Sequence, residues 1–128
     1  MDDKWWLERV EQTFGYAGDY YYTNYPDYTP VGNWARWEFE VYPGSEYEVY
    51  VSWGGLSNRT VSAPYTVYDD TTALDTVLVN QRQPGDRQLG WEKIGTYAIG
   101  TSRLIVELTD AGTEDGAVIA DAVRVVRV

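Results

Sequence analysis

Asp121 is the residue whose position in the sequence raises the clearest chemical question. Strand alternation in the last segment puts its carboxylate on the same face as Ile119 and Val123, which predicts a place in the core. A buried carboxylate needs a counter-charge or several hydrogen bonds. Arg59 is the first candidate partner, because a guanidinium can hold a carboxylate through two parallel bonds. Backbone hydrogen bonds, or a bend that exposes Asp121, are the alternatives.

Asp121 is also a candidate calcium ligand, together with Asp110 and Asp115 of the acidic loop at residues 110–116. Carboxylate oxygens are the hard ligands that Ca²⁺ prefers. The loop lacks the ligand spacing of an EF-hand, so a solvated acidic turn is the alternative interpretation. We therefore expect no required cofactor, and we keep a structural calcium ion as a hypothesis.

Aromatic side chains are the second group that could act at a surface, since Tyr and Trp combine an apolar ring with a polar tip. They make up most of the 16% aromatic content, and six tyrosines fall within residues 16–28. Exposed rings of this kind stack against sugars. The candidate carbohydrate-binding residues, all in or beside predicted loops, are Tyr21, Tyr25, Tyr28, Asn58 and Trp91. The alternatives are that about half of the tyrosines fill one end of the fold and that Asn58 holds its own turn.

Catalysis has few available groups in this chain. There is no histidine and no cysteine, which removes the commonest general base, thiolate metal sites and disulfides. The carboxylates that pair across a predicted hairpin, as in a glycosidase, are Glu38, Glu40, Glu46 and Glu48. We place them on the solvent face, where nothing raises a pKa, and so predict that the protein is not an enzyme.

Charge, hydrophobicity and length limit the possible partners and the number of domains. The net charge of −10 repels nucleic acid, and no basic patch offsets it. No apolar run is long enough to span a bilayer. A chain of 128 residues fits one domain with its own core.

The elements that position these residues are predicted to be strands. Ala35, Trp37 and Phe39 alternate with charged residues, and Tyr47, Val49, Val51 and Trp53 do so after a turn at residues 43–45. We expect these two strands to form an antiparallel hairpin. About eight such strands at regular spacing, without a convincing helix, predict an all-β antiparallel sandwich or barrel.

Residues 1–13 fit either a helix or an edge strand, and we favour a short strand. Because an open edge can pair with another chain, this segment could be donated to a neighbour. That possibility supports a second hypothesis, in which the domain is a structural or adhesive building block that forms homo-oligomers or binds neighbouring domains.

Several motifs, in order along the chain, resemble those of one known family. They are GYAGDY at 15–20, YEVYVSW at 47–53, SNR at 57–59, APYTVY at 63–68, VNQ at 79–81, GW at 90–91, IG at 94–95 and VIADAVR at 118–124. Together they resemble the golvesin C-terminal-like domain, which is also labelled a xanthan lyase domain. The resemblance covers residues 14–128 and leaves residues 1–13 as a separate N-terminal segment.

The resemblance implies an antiparallel jelly-roll β-sandwich of about eight strands, like those of carbohydrate-binding modules, in which a structural calcium ion is common. It implies a non-catalytic accessory module of a large bacterial protein, in an extracellular or cell-surface location. The expected partner is a polysaccharide or glycoconjugate. No catalytic residue carries over from the family.

Overall fold

The structure, a computed structural model, describes residues 34–53, 59–82, 91–110 and 116–128 in full and the backbone of residues 6–9 and 19–23. All structural statements below refer to these residues. They contain ten β-strands and no helix, which confirms the all-β fold class. The strands are β1 Trp6–Arg9, β2 Asp19–Thr23, β3 Trp34–Glu40, β4 Ser45–Ser52, β5 Ala63–Asp69, β6 Thr72–Val79, β7 Trp91–Ile99, β8 Arg103–Thr109, β9 Val118–Ala120 and β10 Ala122–Arg127.

The strand order is that of a jelly roll. One layer contains β3-β8-β5-β6, and the opposing strands form the sheets β1-β2-β9 and β10-β4-β7. Asp121 alone separates β9 from β10, so the last strand joins these two sheets and lies between β2 and β4. All strand pairs in the ladders are antiparallel. The predicted jelly-roll sandwich is confirmed.

The core lies between the layers and follows the predicted alternation. Every second residue of β4, β5 and β8 is buried, because successive side chains of a strand point to opposite faces. The apolar residues in this core are Ala35, Tyr47, Val49, Val51, Trp53, Ala63, Tyr65, Val67, Val79, Ile99, Leu104, Val106, Leu108, Val118, Ile119 and Ala120. Full burial of one large aliphatic side chain contributes about 1.5–3 kcal/mol.

The predicted hairpin between β3 and β4 is wrong, although both inward faces are correct. β3 pairs with β8, whereas β4 pairs with β10 and β7, so the turn near Gly44 carries the chain from one layer to the other. Alternation specifies which face of a strand is apolar, but it does not specify the neighbouring strand. Glu38 and Glu48 therefore lie on opposite outer faces and do not pair.

The final strand differs from its prediction at one residue. The segment at 118–128 was expected to be continuous, with Asp121 on its core face, but the strand is interrupted at Asp121, which is half-buried. Residues 118–120 are enclosed, and residues 122–125 are half-buried. At the N-terminus, the preference for a strand over a helix is confirmed by β1, which pairs with β2. No helix in these ranges could cross a membrane.

Candidate functional site

An open cleft lies on the outer face of the β3-β8-β5-β6 sheet and is the candidate site. Its volume is about 420 Å³, and it is lined by Arg36, Tyr68, Asp70, Thr71, Arg103, Ile105 and Glu107. Five of these residues are outward-facing members of β3, β5 and β8. The strand register therefore builds most of the cleft.

The first row of side chains across the sheet is polar throughout. Arg36 of β3 faces Glu107 of β8, which in turn faces Thr66 of β5. The Arg36 Nη2 atom lies 2.6 Å from Glu107 Oε2, and this hydrogen bond raises the pKa of Arg36. The Thr66 and Thr76 hydroxyls lie 2.9 Å apart. Paired in this way, the row presents a fixed pattern of donors and acceptors to solvent.

The second row supplies the floor of the cleft. Ile105 of β8 lies between Glu38 and Tyr68, and only 5% of its surface is exposed. Arg103 closes this side, because its Nη2 atom lies 2.6 Å from Glu38 Oε1 and its Nη1 atom lies 3.4 Å from Asp70 Oδ1. The floor is thus an apolar side chain beside an aromatic ring, and the walls are charged.

The turn between β5 and β6 shapes one end of the cleft. Asp70 has a φ of 53°, a left-handed conformation that Asp tolerates better than most residues do. The neighbouring Asp69 accepts hydrogen bonds from the Gly100 and Thr101 backbone nitrogens, at 2.9 and 3.1 Å, and from the Thr101 hydroxyl, at 2.7 Å. These bonds, chiefly the one from the Thr101 hydroxyl, lower the pKa of Asp69. The turn is therefore tied to the loop before β8.

The cleft combines charged hydrogen-bonding groups with aromatic rings. The described residues contain no group of three or more acidic side chains arranged to hold a metal ion. Trp34, 38% exposed, lies at the edge of this face with the Arg36 guanidinium 5.3 Å from its ring centroid. Guanidinium and carboxylate groups beside aromatic rings can bind hydroxyl-rich molecules by hydrogen bonding and stacking.

The outer face of the other layer carries an arginine between two aromatic rings. The Arg124 guanidinium carbon lies 4.5 Å from the Tyr50 ring centroid and 5.1 Å from that of Trp91. Trp91, expected as a stacking residue in or beside a loop, is the first residue of β7 and only 9% exposed, so little of its ring is open to solvent. Its ring contacts Arg124, so it is poorly accessible to a sugar.

Arg59 lies in a buried connection near the start of β9. It is 4% exposed and forms a parallel bridge with Ala117, and the Thr60 nitrogen donates to the Ala117 carbonyl over 2.8 Å. The Arg59 carbonyl accepts a 2.6 Å bond from Arg82 Nε. The segment at Arg59 and Thr60 thus lies against Ala117, four residues before Asp121. The direct pairing of Arg59 with Asp121 stays a prediction.

The remaining predicted site residues have different outcomes. Asp110 follows β8 and is fully buried, so it does not belong to a solvated turn. Tyr21 belongs to β2, of which only the backbone is described, and its backbone pairs with Ala120. The predictions for Tyr25, Tyr28, Asn58 and Asp115 lie outside the described residues. Calcium binding by Asp110, Asp115 and Asp121 stays a prediction.

Sequence reasoning missed both outer-face features. Glu38 was predicted to face solvent, but its grouping with Arg36 and Glu107 depends on β8 lying between β3 and β5. The same holds for Arg124 and Tyr50, which face each other only because β10 pairs with β4. The available signal was aromatic and basic residues at outward positions of several strands.

The fold places the chain in the class of jelly-roll β-sandwich modules, and its cleft lies on the outer face of one sheet. The chain matches the golvesin C-terminal domain family over residues 2–127 and belongs to it. The match begins at residue 2, so it includes most of the N-terminal segment; the proposed division at residue 13 stays a prediction.

One solved structure provides a close comparison. It is that of a Paenibacillus xanthan lyase, with 31% identity and a TM-score of 0.75. The alignment covers 97% of this chain but 11% of the lyase chain. The chain thus corresponds to a small part of that protein. No curated protein matches it.

Proposed function

We propose that this chain is a non-catalytic, carbohydrate-binding accessory module. The observation that carries the proposal is the comparison with the xanthan lyase, since nearly the whole chain corresponds to about a tenth of that protein. A module of this size attached to a polysaccharide-degrading enzyme has an obvious use in holding the polymer. Because polysaccharides of this kind are outside cells, an extracellular or cell-surface location is part of the proposal.

The cleft supports binding in preference to catalysis. The Glu107 and Glu38 carboxylates lie 2.6 Å from arginine nitrogens, so each is already engaged by a guanidinium. General acid–base catalysis needs a carboxyl group free to exchange a proton with the substrate. A polyol ligand needs donors and acceptors beside a ring, and Tyr68 and the two ion pairs provide them.

Affinity electrophoresis through gels containing xanthan, or a neutral polysaccharide, tests this proposal. We expect the chain to be retarded in at least one gel, and Tyr68→Ala or Arg36→Gln to reduce the retardation at least about threefold. Tyr42→Ala is the matched control, because Tyr42 is 67% exposed and outside the cleft. Unretarded migration in every gel, with the fold intact, would refute the proposal.

A second candidate function, assembly as a structural building block, is supported by β6. This eight-residue strand is last in the order of its sheet, and Leu74 and Leu78 are 40% and 64% exposed. Two features oppose it: Leu74 forms a bulge, and Asp75 pairs with inward-facing Val67 and accepts a 2.9 Å bond from the Tyr97 hydroxyl. Bulges and inward-pointing charges discourage edge pairing. Light scattering that shows a dimer or larger species would favour assembly.

A further inference from the structure

Arg124 is held in a fixed orientation on the outer face of the β10-β4-β7 sheet. Arg124 faces Tyr50 across the β10–β4 ladder, and Trp91 faces Ser52 across the β4–β7 ladder, so all three side chains are on the same face. The two rings lie 4.5 and 5.1 Å from the guanidinium carbon. A planar guanidinium between two rings loses much of its rotational freedom before any ligand arrives.

No carboxylate of the described residues pairs with the Arg124 guanidinium, in contrast to the arginines of the other sheet. Arg36 and Arg103 each lie 2.6 Å from a glutamate oxygen, whereas no described carboxylate lies within ion-pair distance of Arg124. Among the described residues, its buried Nε–H has no hydrogen-bond partner. A buried donor without an acceptor is rare, so these residues leave part of the hydrogen-bonding capacity of the guanidinium unused.

Glu48 is the described acidic side chain on which the charge of Arg124 acts, and it is already engaged. Glu48 Oε2 lies 2.7 Å from Lys93 Nζ, and Glu48 Oε1 accepts a 3.2 Å bond from the Tyr50 hydroxyl. Glu92 faces Val51 and so belongs to the opposite side of β7. The patch formed by Arg124, Lys93 and Glu48 carries two positive charges and one negative charge. Its net charge is therefore positive, although the net charge of the chain is −10. The patch therefore favours an anion locally.

The geometry points to Arg124 as the receptor for a ligand carboxylate, in particular that of a uronic acid residue in an acidic saccharide. A carboxylate binds a guanidinium bidentately, and because Nε is enclosed, it would approach from the solvent side and use the two Nη groups. Tyr50 and Trp91 position the guanidinium, and the Lys93 ammonium adds a second positive charge. The sugar identity rests on the proposed function, whereas the carboxylate site does not depend on the cleft.

The ¹H–¹⁵N signal of the Arg124 Nε–H in the full chain reports on this site directly. We expect it to shift saturably with sodium glucuronate, and not with methyl glucoside or with sodium chloride at the same ionic strength. The signal is assigned in the wild-type chain, by triple-resonance NMR through the bonds that join it to the Arg124 backbone. An unchanged signal, or an equal shift with chloride, would overturn the proposal.

Arg127→Lys is the matched control variant. Arg127 is on the same strand and also stacks on a tyrosine, Tyr42 at 4.7 Å, but its Nε already donates to Ser45 Oγ over 3.2 Å. Arg124→Lys should weaken glucuronate binding at least about tenfold, because an ammonium lacks the fork, and Arg127→Lys should not. Equal affinities of wild type and Arg124→Lys would refute the proposal. If Arg124→Lys fails to fold, the wild-type Nε titration decides.

The two proposals fail separately. Binding of glucuronate at Arg124 without retardation in any polysaccharide gel would leave the carboxylate site intact and refute the module's polysaccharide function. Retardation that depends on Tyr68, with no response of the Arg124 signal to glucuronate, would support the polysaccharide function and refute the carboxylate site.

Discussion

Gln81 and Ile119 are joined by two hydrogen bonds that reproduce the pairing of adjacent strands. Gln81 Oε1 accepts from the Ile119 nitrogen over 2.8 Å, and Gln81 Nε2 donates to the Ile119 carbonyl over 2.9 Å. Nε2 also donates to the Tyr65 hydroxyl over 3.1 Å. Gln81 is fully buried, and burial raises the pKa of Tyr65 well above its usual value. One side chain thus satisfies three polar groups inside the core.

We expect Gln81→Leu to destabilise the protein by about 2–5 kcal/mol. The substitution leaves the Ile119 nitrogen and carbonyl buried without partners, and each unsatisfied group costs about 1–3 kcal/mol. Urea unfolding measures the loss. Asn80→Ala is the control, because the Asn80 side-chain Oδ1 accepts an exposed 3.0 Å bond from the Arg82 backbone nitrogen. A cost for Gln81→Leu as small as that of Asn80→Ala would mean that water replaces the glutamine.

The hydrogen bonds of Gln81 could not be predicted from the sequence. The residues around Gln81 and Ile119 were recognised as family motifs and as parts of strands, but a buried glutamine has no periodic signal. Its role depends on β9 lying near the loop after β6, a contact over 38 positions of sequence. Inward faces of β3, β4, β5 and β8 were predictable because period-two alternation is local. Strand neighbours, and with them the cleft, were not, since register between distant strands is set by the whole fold.

Gly116 is predicted to tolerate no side chain. A Cβ at this position would lie 2.5 Å from both the carbonyl carbon and the oxygen of Arg59, and 2.8 Å from the Thr60 nitrogen. Because backbone atoms cannot rotate away, Gly116→Ala must displace the bridge between Arg59 and Ala117. We expect a loss of about 1–3 kcal/mol, the usual cost of overpacking, measured by thermal or urea unfolding.

Gly100→Ala provides the comparison for Gly116→Ala. Its Cβ would approach Asp69 Oδ2 at 3.4 Å, an ordinary contact distance, and the backbone nitrogen would keep its bond to that carboxylate. We expect a smaller change in stability. If Gly116→Ala is as mild as Gly100→Ala, the Arg59 segment moves more easily than its burial suggests.

Asp69 should make stability depend on pH at the acidic end. Its pKa is lowered in the folded state by the Thr101 hydroxyl and by the Gly100 and Thr101 backbone nitrogens. A lowered folded pKa gives stability that is present above the unfolded value, about 3.9, and lost as pH falls through the folded pKa. Urea midpoints between pH 2 and 7 should therefore fall below about pH 4. In Thr101→Val, which removes the shortest bond, this decrease should be smaller.

The NMR signal of the Asp69 carboxyl carbon measures the pKa of this group independently of unfolding. Its NMR titration should have a midpoint below the ordinary aspartate value in wild type and a higher midpoint in Thr101→Val. Identical midpoints in the two proteins would assign the pH dependence to other carboxylates.

Calcium chloride is expected to stabilise the chain more than sodium chloride of equal ionic strength only if Asp110, Asp115 and Asp121 form a calcium site. Any salt screens the repulsion among charges of a −10 chain, so sodium alone should raise the melting temperature modestly. Melting temperatures in calcium chloride and in sodium chloride of equal ionic strength, after treatment with a chelator, separate the two effects. Equal melting temperatures would dismiss the calcium hypothesis.

Arg59 and Asp121 are expected to depend on each other. Arg59 is 4% exposed and bridges to Ala117, so its segment reaches the strand break at the half-buried Asp121. If the two side chains pair, removing either one leaves the other charge uncompensated, which costs up to about 3–5 kcal/mol. We therefore expect Arg59→Met and Asp121→Leu each to lower the free energy of unfolding.

The double variant isolates the interaction between the two residues. Arg59→Met with Asp121→Leu removes both charges, so its cost should be far smaller than the sum of the two single costs. Urea unfolding of the four proteins gives the coupling free energy directly. Single costs that simply add would mean that Arg59 and Asp121 have separate partners. Asp121 would then be held by the backbone at the strand break or by a calcium ion, and the comparison of calcium with sodium distinguishes these two.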